Sequence, residues 1–157
     1  MRQAGISIGV ISDTHGLLRE AAAAALRGCA LIVHAGDVGG PDVLARLRAI
    51  APTVAVRGNN DTGSWASALP TWEVVEVGHI SLYVIHDLAK LDLDPKAAGL
   101  AAVISGHSHR PRAEVRDGIL YLNPGSAGPR RFTLPVAVAK LQVEGTSLAH
   151  EIVELQV

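Results

Sequence analysis

Seven side chains with the chemistry of metal ligands each follow a short apolar run in this sequence. They occur in five polar segments, in the order Asp13-Thr14-His15, Gly36-Asp37, Gly58-Asn59, His86 and Gly106-His107-Ser108-His109. Carboxylate oxygen, amide oxygen and neutral imidazole together suit borderline divalent ions such as Mn²⁺, Fe²⁺ and Zn²⁺. Thiolates are lacking from the set, which disfavours a structural zinc cage. The sequence therefore predicts a site for divalent metal ions.

Each segment alone is weak evidence, because Asp, Asn and Gly after a strand are also common in turns and helix caps. Asp13 alone could cap the helix that follows it, and His86 alone would be more typical of a hydrogen-bonded core histidine. His107 and His109 would point to opposite sides of an extended segment, so a loop is needed for both to face metal, and Gly106 favours one. The joint occurrence of the five segments favours the metal site.

Short strands and helices are predicted to position these segments. Residues 6–11, 31–34 and 53–56 are apolar and β-branched, as expected of buried strands. Residues 17–27 and 41–50 have the composition and spacing of helices. This alternation predicts a βαβαβ arrangement with parallel strands, whose polar loops meet beyond the carboxyl ends of the strands.

The second half of the chain is predicted to be mostly β-structure. Residues 73–77 and 80–85 look like a hairpin that delivers His86, and residues 88–100 should contain a short helix near Pro95. A further buried strand precedes the segment with His107 and His109. The expected strands are residues 101–104, 113–116, 119–122, 135–143 and 147–155.

Length and composition limit the classes of protein to consider. A chain of 157 residues is enough for one apolar core, so we expect a single domain over residues 1–157. No apolar stretch approaches the roughly 20 residues of a membrane span, and the N-terminus lacks the features of a secretory leader. The single cysteine, Cys29, fits a cytoplasmic location. A net charge of -1 and an aromatic content of 3% disfavour binding to extended nucleic acid.

Taken together, the five segments resemble the calcineurin-like metallophosphoesterase superfamily, in its compact single-domain bacterial and archaeal branch. The resemblance runs from Ile8 to the segment Asn123-Pro124-Gly125-Ser126. It implies an α/β fold with a two-sheet β-sandwich flanked by helices, in α/β/β/α layers. It also implies that one metal ion is bound by Asp13, His15 and His109, that a second is bound by Asn59, His86 and His107, and that Asp37 bridges both.

The resemblance further implies a binuclear metal-dependent phosphoesterase. Mn²⁺ is the expected ion, with Fe²⁺, Zn²⁺, Ni²⁺ and Co²⁺ as alternatives. Two such ions can lower the pKa of a shared water from about 15.7 towards 7, and attack by the resulting bridging hydroxide needs no protein nucleophile. Asp37, Asn59 and His107 would act catalytically through that hydroxide. The expected substrate is a small phosphodiester, with phosphomonoesters as an alternative.

The sequence departs from the family pattern at two positions. Asn60 stands where many members have a histidine that is thought to protonate the leaving group, and an amide cannot act as a general acid. This favours activated esters or diesters, because proton donation contributes about 10² to 10⁴ in rate. Asp87 stands where the family usually has glycine; it could raise metal affinity, repel substrate or face solvent.

Several further roles remain open from the sequence alone. Asp61 could orient a ligand, and His34 is expected to support the site or the core rather than to bind metal. The chain could instead be a non-catalytic interaction scaffold, as is one eukaryotic retromer subunit that resembles this branch; its complete histidine set disfavours that alternative. A nuclease is chemically allowed but poorly supported by charge. A homo-oligomer remains an alternative to a monomer. Arginines that could steady a substrate phosphate, although a solvated surface position is commoner, are Arg57, Arg110, Arg130 and Arg131.

Overall fold

The computed structural model describes residues 5–157. Residues 1–4 lie outside the described residues. They belong to the N-terminal segment in which the sequence shows no features of a secretory leader. The strands are β1 (Ile6–Ile11), β2 (Leu31–His34), β3 (Thr53–Ala55), β4 (Trp72–Val77), β5 (Ile80–Ile85), β6 (Ala102–Ile104), β7 (Arg112–Arg116), β8 (Ile119–Asn123), β9 (Ala137–Glu144) and β10 (Ser147–Glu154). The helices are α1 (Glu20–Leu26), α2 (Pro41–Arg48), α3 (Ser64–Ser67) and a 3₁₀ helix, Leu88–Lys90.

The first sheet contains the predicted βαβαβ unit. Its strand order is β10-β9-β1-β2-β3, with β1, β2 and β3 parallel and β9 and β10 antiparallel to their neighbours. Most of β1 is buried because the strand has neighbours on both edges and layers on both faces. Its apolar sequence from Ile8 to Ile11 is that of such a strand. The carboxyl ends of β1, β2 and β3 therefore lie side by side.

The second sheet has the order β4-β5-β6-β8-β7. Its three middle strands are parallel to one another, and the hairpins β4-β5 and β7-β8 add antiparallel pairs at its two edges. The β4-β5 hairpin was predicted from the sequence. So was the turn of the β7-β8 hairpin, in which Asp117 and Gly118 have φ of 52° and 78°.

The two sheets pack face to face around the main apolar core. Val10 and Leu141 of the first sheet and Val84 and Leu122 of the second belong to one buried cluster. A second cluster on the outer face of the first sheet holds the buried sides of α1 and α2. The expected two-sheet sandwich flanked by helices is thus confirmed.

The layer that covers the outer face of the second sheet contains less helix than the sequence suggested. Leu88, Leu91, Leu93 and Leu100 pack there, but the helix expected near Pro95 is only a turn. A short helix forms earlier, at Leu88–Lys90. The turn stops early because Gly99 adopts a left-handed conformation, with φ of 73°. Within residues 5–157, no helix has the length and apolarity to cross a bilayer.

Candidate metal centre

All seven predicted ligands lie in loops at the carboxyl ends of parallel strands. Asp13 and His15 follow β1, Asp37 follows β2 and Asn59 follows β3. His86 directly follows β5, and His107 and His109 follow β6. The first three loops belong to one sheet and the last two to the other. The facing of the two sheets brings the five loops together at one end of the sandwich.

One group of side chains consists of Asp13, His15 and His109. The Nε2 atoms of the two histidines are 3.3 Å apart, and their rings are stacked with centroids separated by 5.2 Å. Asp13 Oδ1 lies 3.7 Å from His15 Nε2 and 3.4 Å from His109 Nε2. These three residues place one ligand atom each within 4.8 Å of the others. They are the set that the resemblance assigned to one metal ion.

The second group surrounds the side-chain oxygen of Asn59. Asn59 Oδ1 lies 3.0 Å from His86 Nε2 and 3.2 Å from His107 Nδ1. Asp37 stands between the two groups, since its Oδ2 atom is 3.3 Å from His86 Nε2 and 3.7 Å from His15 Nε2. The structure thus brings Asp37 to the intermediate position that a bridging ligand requires.

An unpaired carboxylate oxygen tests whether these residues fit a cation. In the part of the chain that the structure describes, Asp13 Oδ1 is buried and has no hydrogen-bond partner. Three imidazole nitrogens surround it, those of His109, His15 and His86, at 3.4, 3.7 and 3.9 Å. Burying an unpaired carboxylate is costly, and a divalent ion would offset that cost. The residues present therefore fit the expected metal ions.

The ring of His86 is already oriented for metal binding. Its Nδ1–H donates to the Ala35 carbonyl oxygen at 2.7 Å, so Nε2 faces Asn59 and Asp37 and would offer its lone pair to a metal ion once deprotonated. The ring lies against Gly36, where an added Cβ would come within 2.6 Å of His86 Nδ1. A side chain at position 36 would displace the imidazole. The glycine of this segment therefore has a packing role in the site.

The backbone at five of the predicted ligands is in the left-handed region, which is rare for residues other than glycine. The φ angles are 55° for Asp13, 46° for His15, 55° for Asp37, 72° for His107 and 62° for His109. Hydrogen bonds between loops hold this conformation, among them Asp13 N–H to the Gly36 carbonyl and His15 N–H to the Asp37 carbonyl, both 3.0 Å. The sharp turn at these positions places His109 in the first ligand group and His107 in the second. The sequence had predicted that a loop is needed for both histidines to face metal.

The charge state of the carboxylates follows from their surroundings. Burial raises the pKa of Asp37, but the hydrogen bond from His86, the N–H of Asn60 and nearby histidine charges outweigh it, so the net pKa lies well below its usual value. Burial raises the pKa of Asp13, but the proximity of His15, the hydrogen bond from Ser12 and the charges of His86 and His109 outweigh it, so the net pKa is lowered. Both groups are therefore ionised at neutral pH.

Asp61 ties two of the ligand loops together. Its carboxylate accepts three backbone N–H groups, from Val38 at 3.2 Å, Gly39 at 2.9 Å and Gly58 at 2.9 Å. Two of these donors directly follow Asp37 in the loop after β2, and the third precedes Asn59 in the loop after β3. The residue thus has the orienting contacts that its place in the sequence suggested.

His34 supports the site from the interior. The N–H of Gly36 donates to His34 Nδ1, so the proton is on Nε2, which donates to Thr14 Oγ1, and that hydroxyl donates to the Val38 carbonyl. Burial lowers the pKa of His34 to about 4 and keeps the ring neutral. Both ring nitrogens are thereby used, so His34 is available to brace the loops and not to bind metal.

Asn60 and Asp87, the two departures from the family pattern, make contacts that the sequence did not indicate. Asn60 holds both oxygens of Asp37, through its backbone N–H at 2.9 Å and its Nδ2 at 3.1 Å. Asp87 is half-buried and its Oδ1 accepts the N–H of Ala89 at 3.0 Å, which caps the 3₁₀ helix. Asp87 is thus a cap residue at the border of the site.

Sequence reasoning missed two residues that position Asp13. Ser12 Oγ donates to Asp13 Oδ2 at 2.7 Å, and Ser126 Oγ donates to the Asp13 carbonyl at 3.0 Å. Ser12 could have been found from its place directly before a ligand. Ser126 lies in a segment that carried the family resemblance, but nothing local in the sequence indicates its contact with a loop so far away.

Comparisons with known proteins concern the family and the fold of the chain. Residues 6–146 match the family described as the calcineurin-like phosphoesterase superfamily domain. The chain is 35% identical to a protein of Methanothermobacter thermautotrophicus named a probable metallophosphoesterase, over 93% of this chain and 91% of that one. Its fold is similar to that of vacuolar protein sorting 29 from Cryptosporidium parvum, with a TM-score of 0.83, 18% identity and coverage of 97% and 92%. An archaeal phosphodiesterase structure matches with a TM-score of 0.78, 23% identity and coverage of 94% and 100%.

Proposed function

Because the chain belongs to the calcineurin-like phosphoesterase superfamily, we propose that it is a binuclear metal-dependent phosphodiesterase acting on small phosphate esters. The observation that carries the proposal is the pair of ligand groups on either side of Asp37, with the unpaired oxygen of Asp13 inside the first. The similar fold of a protein described as an archaeal phosphodiesterase is consistent with it.

In this proposal the first ion is held by Asp13, His15 and His109. The second is held by Asn59, His86 and His107, and Asp37 contacts both. Mn²⁺ is the first ion to test, with Fe²⁺, Zn²⁺, Ni²⁺ and Co²⁺ as alternatives. Two bound ions would supply a nucleophile by making a water acidic and would offset the charge of the phosphate oxygens. Protonation of the leaving group and binding of the phosphate oxygens depend on the residues around the two ions.

The residues around the site favour esters with stable leaving groups. Asn60 offers an amide in place of an acid, and that amide is already bound to Asp37. Proton donation to the leaving group would then come from water, which suits phosphodiesters with acidic alcohols better than alkyl monoesters. Arg131 lies near enough to act electrostatically on both His15 and His109, and its exposed guanidinium can meet a phosphate oxygen.

Hydrolysis of two chromogenic esters tests the proposal. Metal-stripped protein is given each candidate ion in turn and assayed with bis(p-nitrophenyl) phosphate and p-nitrophenyl phosphate. We expect hydrolysis that depends on added metal and is faster with the diester. Asp37→Asn should abolish it, whereas His150→Gln, which changes an exposed histidine on β10, should leave it unchanged. No hydrolysis with any ion would refute the enzyme and, if two ions still bind, favour the scaffold alternative.

A further inference from the structure

A cavity of about 580 Å³ adjoins the second ligand group. Its lining includes Asn59 and His86 together with two aromatic residues, Trp72 and Tyr83. The connection is direct, because Trp72 pairs with Ile85 across strands β4 and β5 and His86 is the next residue. A molecule that reaches the ligand group can therefore extend over the aromatic residues.

The two aromatic rings form a rigid surface. Trp72 is stacked on Tyr83 with ring centroids 5.6 Å apart and an interplanar angle of 13°. Tyr83 is only 2% exposed and fixes the position of the pair, whereas Trp72 is 52% exposed. A tryptophan that is stacked on a buried ring and half-exposed beside a cavity offers exposed indole surface to a planar group. Such a surface loses little conformational freedom when it binds a ring.

The charges around the cavity do not favour a second anionic group. The basic residues in its lining are Arg57 and Lys90, and the acidic residues are Asp61, Asp87 and Asp92. Asp61 accepts three N–H groups and Asp87 caps a helix, but neither loses its negative charge by doing so. The sum of the formal charges of these five side chains is therefore not positive. An uncharged ring is therefore a better occupant than a further phosphate, whose charge would be met at the ligand groups.

We propose that Trp72 forms a subsite for a planar aromatic group, so that the preferred substrate is a phosphodiester in which a nucleoside-like group stays on the phosphate and the other, more acidic alcohol leaves. The inference rests on the proposed function, because it assumes that phosphate binds at the ligand groups. Stacking of a base on an aromatic side chain corresponds to a change in affinity of about 5-fold to 150-fold on replacement by alanine. A subsite of this kind gives substrate preference without base-specific hydrogen bonds.

Equilibrium binding of two monoesters isolates the contribution of the aromatic group. Adenosine 5′-monophosphate and methyl phosphate carry the same phosphate and differ in the nucleoside. Their dissociation constants for the full-length, Mn²⁺-loaded protein are measured by calorimetry. We expect the nucleotide to bind about 5-fold to 150-fold more tightly, with Trp72→Ala reducing this ratio towards one and Trp72→Phe retaining most of it.

Val74→Ala provides the matched control. Val74 is 40% exposed on the same strand and pairs with Tyr83, but it does not line the cavity. Val74→Ala should preserve the ratio of the two dissociation constants. If that ratio falls in Val74→Ala as it does in Trp72→Ala, the effect comes from truncating any side chain on the outer face of β4, and the inference is refuted. Equal binding of the two monoesters to the unaltered protein, or binding of neither, would also refute it. Chromogenic hydrolysis with equal monoester binding would retain the proposed function and remove only this subsite.

Discussion

Replacing Asp61 should weaken both the fold and the metal centre, because one carboxylate serves three backbone donors. Asp61 is 6% exposed, and its substitution by alanine leaves the N–H groups of Val38, Gly39 and Gly58 without their acceptor. Gly39 is exposed and can bond to water, but Val38 and Gly58 are buried. An unsatisfied buried donor costs about 1 to 3 kcal/mol, so the free energy of unfolding should fall by about 2 to 6 kcal/mol.

The effect on metal binding should be separable from the effect on stability. Asp61→Asn keeps one acceptor oxygen and nearly the same shape, so it should fold while holding the loops after β2 and β3 less firmly. Loss of a residue that orients ligands typically lowers metal affinity about 10-fold to 100-fold. Urea unfolding of the metal-free protein measures the first effect, and calorimetric titration with Mn²⁺ measures the second.

Asp94 offers the matched control for Asp61. It is exposed and accepts a single backbone N–H, that of Lys96 at 3.1 Å. Asp94→Ala should change the free energy of unfolding by less than about 1 kcal/mol and leave Mn²⁺ affinity unchanged. If Asp61→Ala behaves like this control in both measurements, the three hydrogen bonds do not have the energetic role assigned to them.

Three further predictions concern pH, backbone packing and metal. His34 has a pKa of about 4 in the folded protein against 6.5 when unfolded, so acidification from pH 6.5 to 4 protonates the unfolded state first and should lower the free energy of unfolding by about 3 kcal/mol. In urea unfolding, His34→Gln should reduce that decline. If the free energy of unfolding falls equally steeply with decreasing pH in the variant, the lowered pKa assigned to His34 is wrong. Gly58→Ala places a Cβ 2.1 Å from Asp37 Oδ1 and should abolish tight Mn²⁺ binding in calorimetry, whereas Gly40→Ala, with open space around it, should not. Saturating Mn²⁺ at 100 times its dissociation constant should stabilise the protein by about 2.7 kcal/mol for each ion bound in thermal unfolding, and a similar shift in Asp37→Asn would count against binding at this site.

The local parts of the fold were predictable because they depend on nearby residues. The apolar runs of β1, β2 and β3 and the Asp117-Gly118 turn carry their own signals in composition and spacing. The start of α1 was not predictable. The loop after β1 continues through Gly16, whose φ is 84°, and the helix begins only at Glu20 although Leu17 to Arg19 have good helix propensity. The loop conformation, fixed by tertiary contacts, overrides that propensity.

Contacts between distant segments could not be predicted from the sequence, for a different reason. The pairing of β1 with β9 and the parallel alignment of β8 with β6 join segments with no local pattern that specifies the partner. The seven candidate ligands could be recognised from their residue types and their order along the chain. The distances between their atoms, however, depend on how the two sheets pack against each other. The roles of Asn60 and Ser126 likewise arise from contacts between loops.

The left-handed backbone at five candidate ligands has an evolutionary consequence. Each such residue costs about 1 to 3 kcal/mol relative to a relaxed conformation, and glycine would relieve most of that strain. Replacing Asp13 or His109 by glycine would therefore remove a ligand while making the metal-free fold easier to form. A lineage released from selection for metal binding could lose these side chains without an energetic barrier and keep the sandwich intact. The five side chains at left-handed positions are thus present at a cost to the stability of the metal-free fold.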